Sequence, residues 1–196
     1  MTAKEFWTEF SRLFANDSDA LTAARNFWKN RDNFTKFIMP HIATILSSYG
    51  YADKNQYEYY KIDVIGWKDC KSALAKLQKP DTYKLKKHFW HLGVAVEHEN
   101  DQSDWTDELV KLLYINCPLR IIIGYYPETL SSEDLVKTID YASNIVSLAN
   151  ETNALIQPKQ EFMLILGKNH DAETDLCAST YSAFTYDVNK KSFEKI

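Results

Sequence analysis

Apolar residues recur at helical spacing through the first fifty positions and change to alternating or unbroken runs further along the chain. Phe6, Phe10, Leu13 and Phe14 fall at i, i+4, i+7 and i+8, which predicts a helix with one buried face. Asn16-Asp17-Ser18 supplies a break and a fresh N-cap, and Leu21, Ala24 and Trp28 resume the pattern. A third helix is predicted from Phe34, Phe37, Ile38, His41, Ile42, Ile45, Leu46 and Tyr49. Pro40 either kinks it or opens it afresh, and Gly50 is its natural stop.

The later runs read as strands. Residues 57–67 are rich in aromatic and β-branched side chains. Residues 89–99, 119–126, 161–167 and 181–188 follow the same logic. Between them, 105–114 predicts a helix with Trp105, Leu109, Leu112 and Leu113 inward. Ser131-Ser132-Glu133-Asp134 opens a long helix reaching about residue 150. The run 120–124 is apolar on successive positions and fits a central strand. The order is helices, strand, strand, helix, strand, helix, strand, strand. It predicts an α/β fold: a mixed central sheet flanked by helices on both faces, with an all-helical N-terminal part. With no repeat, low-complexity tract or glycine-rich linker, the 196 residues read as a single domain: a helical part (1–50), a core (51–126), and a helix plus two strands extending the sheet (127–196).

Charge and cysteine usage narrow the function. The net charge of −4 argues against broad nucleic-acid coating, but it is unevenly spread. Residues 68–87 hold seven lysines against Asp69 and Asp81, a local excess of +5. Cys70, Cys117 and Cys177 are far apart and odd in number, so they read as reduced thiols rather than a disulfide framework or a zinc site. The charged N-terminus lacks the apolar run of a signal peptide, and no stretch approaches the roughly 18 apolar residues of a membrane span. The expectation is a soluble, cytoplasmic protein without membrane contact. No GxSxG, P-loop or GxGxxG occurs, and glycine is scarce.

The densest chemistry lies at the end of the second strand. Residues two apart on a strand share a face, so Glu97 and Glu99 lie together, behind the small Gly93 and Ala95. Trp90, Leu92, Val94 and Val96 form the opposite, core-facing side. Paired acids on a strand are costly unless a positive charge meets them, and a divalent metal is the natural candidate. Asp63 sits inside the preceding apolar run. Neighbouring strands carrying Asp63 and Glu97-His98-Glu99 would build a three-carboxylate magnesium site.

These residues resemble the PD-(D/E)XK nuclease superfamily, the restriction-endonuclease-like fold. Its core is helix, three strands, helix, strand, with an Asp on the second strand and (Asp/Glu)-x-Lys on the third. Asp63 in Lys-Ile-Asp-Val-Ile-Gly-Trp and Glu97 in Val-Ala-Val-Glu-His-Glu match it, over roughly residues 31–126. Glu99 stands where the family has lysine, giving a D…ExE variant. The family's first strand comes either from residues 47–53 or from one long run bent into a hairpin. The resemblance implies Mg²⁺ or Mn²⁺ bound by Asp63 and Glu97, with Glu99 as a further ligand or a base, and hydrolysis of phosphodiester bonds in DNA. Lys61 or Lys111 would replace the motif lysine, Lys61 being favoured by its place on Asp63's strand face. Lys68, Lys71, Lys84, Lys86 and Lys87 would meet the phosphate backbone, and a homodimer would suit cutting of both strands. The alternative is a catalytically inactive protein of this fold that binds a protein partner, of toxin–immunity or phage-defence type. Simpler readings stand beside these. Asp63 could pair with Lys61, Lys87 or Arg120. Glu97 and Glu99 could line a solvated edge with His98 packed inward, Asp107 and Glu108 could be surface acids, though Glu108 could also support the carboxylate site from behind its ligands, and the lysine segment could be a solvated loop.

Overall fold

A computed structural model describes residues 1–15, 18–27, 31–52, 57–59, 61–69, 90–100, 105–127, 129–153, 155–157, 159–169 and 180–196. Three helices come first, α1 (Ala3–Leu13), α2 (Asp19–Phe27) and α3 (Arg31–Ser48). Then follow β1 (Tyr57–Tyr59), β2 (Ile62–Asp69), β3 (Trp90–His98), α4 (Trp105–Leu113), β4 (Leu119–Pro127), α5 (Ser132–Asn153), β5 (Glu161–Asn169), β6 (Tyr181–Asp187) and β7 (Ser192–Lys195). The strands form one seven-stranded mixed sheet in sequential order. β1, β2 and β3 are antiparallel neighbours, β3–β4 and β4–β5 are parallel, and β5, β6 and β7 are antiparallel again. Each parallel pair is joined through a helix, α4 and then α5, because strands running the same way need a crossover.

Helices cover both faces. On one side Phe6, Phe10, Ile38 and Leu46 of the N-terminal helices pack with Val96 and Ile121. On the other, Leu109 and Leu112 of α4 and Val146 of α5 pack with Ile122 and Leu164. Successive residues of β4 therefore enter opposite cores, which is why its sequence is apolar without alternation. The helix starts follow from local chemistry: Thr2 and Glu5 form a capping box on α1, and Ser18 Oγ accepts the Leu21 N–H at 2.9 Å ahead of α2. Among the described residues no helix is long and apolar enough to cross a membrane.

Three local features depart from the simple pattern. The run 57–67 is two strands, folded back at Lys61, which takes φ 61° and lets Tyr59 pair with Ile62. A further strand, β7, closes the far edge. Between β2 and β3 the register shifts at Gly66/Trp67: Gly66 faces Val94 while Trp67 faces Leu92, so Gly93 is the extra residue of a bulge. A Cβ on Gly93 would lie 2.4 Å from Tyr51 Cε1. Gly93 is thus small because Tyr51 crosses it, not because it leaves room beside the acids. Beyond the bulge Leu92 packs with the α4/α5 core instead of with Val94.

Arg120, 1 % exposed, is held by two backbone carbonyls and a side-chain amide. Its Nε donates to Ile115 O at 2.6 Å, and Nη2 to Leu155 O and Gln160 Oε1, both at 3.2 Å. Ile115 and Leu155 lie just past the ends of α4 and α5. The guanidinium therefore caps both helix C-termini and answers the partial negative charge gathered there.

A candidate carboxylate and lysine site

The β2–β3 register sets Val64 beside Val96, and so Asp63 beside Glu97. The two acids are knitted through backbone: His98 N donates to Asp63 Oδ2 at 2.8 Å, and Asp63 N to Glu97 Oε2 at 3.4 Å. Glu97 is 1 % exposed. It lies toward the end of β3, from which the chain crosses through α4 to the parallel β4, the kind of strand end where α/β sheets place their ligand sites.

Lys111 of α4 reaches over this strand end. Its Nζ is 2.7 Å from Glu97 Oε1, forms an ion pair with Glu108 one helical turn earlier, and donates to Lys61 O at 2.7 Å. An ammonium has three N–H donors, and three oxygens surround this one. The helix is held at the right depth by Trp105, Leu109, Leu112 and Leu113, all buried. Trp105 lies against Gly124 of β4, where an added Cβ would come within 2.8 Å of its Cγ. Only glycine lets the start of α4 sit this close to the sheet.

Burial dominates the electrostatics. It pushes the Glu97 carboxyl up to about 8, with Lys111 opposing and Asp63 and Glu108 adding to the rise. Burial pulls Lys111 down, but the Glu108 and Glu97 carboxylates outweigh it and hold the ammonium above its ordinary value. Glu97 and Glu108 thus share Lys111, with Asp63 beside Glu97.

Asp63 and Glu97 offer hard oxygen donors side by side, a donor type that fits Mg²⁺ or Mn²⁺. Magnesium is commonly held by one or two carboxylates with water and phosphate oxygens completing the shell. Among the described residues no group of three or more His, Cys, Asp and Glu is arranged to hold a metal ion, so Glu99 does not complete the expected trio. Glu99 follows the end of β3, where its N–H donates to Ile123 O at 2.9 Å.

The remaining sequence expectations separate clearly. Lys61 is exposed in the β1–β2 turn and gives the site its carbonyl oxygen; the ammonium that meets Glu97 belongs to Lys111. Glu108, for which the sequence left open a surface place or a supporting contact, pairs with Lys111 in the cluster; its i, i+3 spacing to Lys111 was the available signal. His98 points into the opposite core, where its Nε2 bonds Tyr125 OH at 2.9 Å and burial lowers its pKa to about 3, so the ring is neutral. Lys68 is exposed, 4.8 Å over the Tyr51 ring. It lies five residues along β2 from Asp63, roughly 17 Å at strand rise. Lys71, Lys84, Lys86 and Lys87 lie outside the described residues.

Comparison of the chain with protein-family models, curated proteins and solved structures finds no match.

Proposed function

We propose that the chain is a Mg²⁺- or Mn²⁺-dependent nuclease-like protein that hydrolyses phosphodiester bonds in DNA. The observation that carries this reading is the Lys111 ammonium 2.7 Å from the buried Glu97, with Asp63 next to Glu97 across the β2–β3 ladder. The element order lends support. With residues 57–67 divided in two, α3, β1, β2, β3, α4 and β4 run helix, three strands, helix, strand, with Asp63 on the second strand and Glu97 on the third. In this reading Asp63 and Glu97 hold the ion, which supplies charge neutralisation at the phosphoryl oxygens and lowers the pKa of an attacking water. Lys111 takes the electrostatic role of the motif lysine, entering from the following helix instead of from position 99. The lysines of 68–87 offset the repulsion between an acidic site and an anionic substrate. No role is given to Glu99.

The test is cleavage of plasmid and oligonucleotide DNA with Mg²⁺ or Mn²⁺. Wild-type protein should cut, and Asp63→Asn, Glu97→Gln and Lys111→Met should each lose at least about 100-fold, the scale of one lost electrostatic stabiliser. A folded wild type that cuts no substrate with either ion would overturn the reading.

One observation favours a second reading, a non-catalytic binding protein of the same architecture: protein oxygens already surround the Lys111 ammonium on three sides. Under it the cluster is a structural ion network, and wild type shows no Mg²⁺ or Mn²⁺ binding by calorimetry.

A further inference from the structure

Glu108 has one ion-pair partner among the described residues. It pairs with Lys111, and Lys111 in turn contacts Glu97. Glu108 is not bonded to Asp63 or to Glu97. Its side chain is 26 % exposed against 2 % for Glu97, so it lies at the rim while Glu97 lies beneath. Resting on the proposed metal site, we propose that Glu108 is a positioning residue. It keeps the Lys111 ammonium at the strand end while Glu97 exchanges that ammonium for a divalent cation.

The argument is one of valence. Glu97 is buried beneath Lys111 and offers it Oε1, while its Oε2 accepts from Asp63 N. Turning Oε1 to a cation removes one of the three oxygens around Lys111. Without Glu108, only the neutral Lys61 carbonyl would then hold the ammonium, and it would leave for water. With Glu108, the ammonium keeps one carboxylate and one carbonyl and gains a free N–H directed at the strand end. That free donor is what an electrostatic lysine needs to act on a phosphoryl oxygen.

A double-mutant cycle on Mn²⁺ affinity by calorimetry tests this, with thermal unfolding confirming that each variant folds. Glu108→Gln should weaken Mn²⁺ binding roughly tenfold, the scale of one charge-assisted contact. In a Lys111→Gln background the same substitution should change affinity by no more than about twofold, because Glu108 acts only through the lysine. Lys111→Arg, which keeps the charge and so guards against a misfolded Lys111→Gln, should restore the dependence on Glu108. An equal drop in both backgrounds would make Glu108 a metal ligand and overturn the proposal. No drop in wild type would make it a plain surface acid and overturn it equally. Absence of Mn²⁺ binding by wild type itself would instead overturn the metal site on which the proposal rests.

Discussion

Glu97 concentrates the tension of the molecule in one side chain. A carboxyl that is 1 % exposed and pushed up to about 8 is protonated more readily in the folded chain than in the unfolded one, whose ordinary value is 4.5. The sign follows from linkage. Between those values the folded state binds the extra proton, so this contribution to stability is complete below about pH 4.5 and is lost as pH rises through about 8. Glu97→Gln cannot ionise and should remove that slope. In chelator, urea unfolding from about pH 5 to about pH 9 should show wild type losing on the order of a few kcal/mol more than the variant. Parallel curves would contradict the buried carboxyl. Asp63 and Glu97 were legible in the sequence because each interrupts an apolar strand. Gly93 was misread, since a bulge is not visible as a pattern: the residue looked like space beside the acids and is a seat for Tyr51.

At the scale of elements, α4 decides whether the acids meet a lysine. Its apolar face, Trp105, Leu109, Leu112 and Leu113, was clear from spacing alone, and so was its start near residue 105. Its depth on the sheet was not, because that depends on Gly124 of β4 yielding to Trp105, a contact between residues nineteen apart in the chain. For that reason sequence favoured Lys61 over Lys111: a strand face can be read locally, but the φ 61° turn that removes Lys61 from the strand and the docking of a helix cannot. Gly124→Ala should lift α4 from the sheet and cost about 1–3 kcal/mol in urea unfolding, as overpacked cores do. Trp105→Phe in the same chain should recover part of that loss, since the smaller ring yields space. A neutral Gly124→Ala, or two strictly additive losses, would contradict the packing that places Lys111. Arg120 carries a related lesson. A lone basic residue in an apolar strand looked like a partner for Asp63, whereas it ties α4 and α5 together through their terminal carbonyls.

For the whole molecule, the mixed sheet between two helical layers followed from the order of periodic segments. The strand count did not, because a three-residue and a four-residue strand at the two edges are too short to leave a pattern. The uneven charge also acts at this scale: with −4 overall, attraction for a polyanion has to come from the lysine-rich 68–87 segment, to be weighed against an acidic strand end. The central claim is that this strand end is built around a divalent cation instead of ending in a structural ion pair. Crystals of the full chain soaked in Mn²⁺ test it most directly, by anomalous scattering. The account predicts a single strong peak roughly 2.0–2.4 Å from carboxylate oxygens of both Asp63 and Glu97, with Lys111 still paired to Glu108. Electron density that keeps Lys111 on Glu97, with no anomalous peak between the two acids at saturating Mn²⁺, would contradict it.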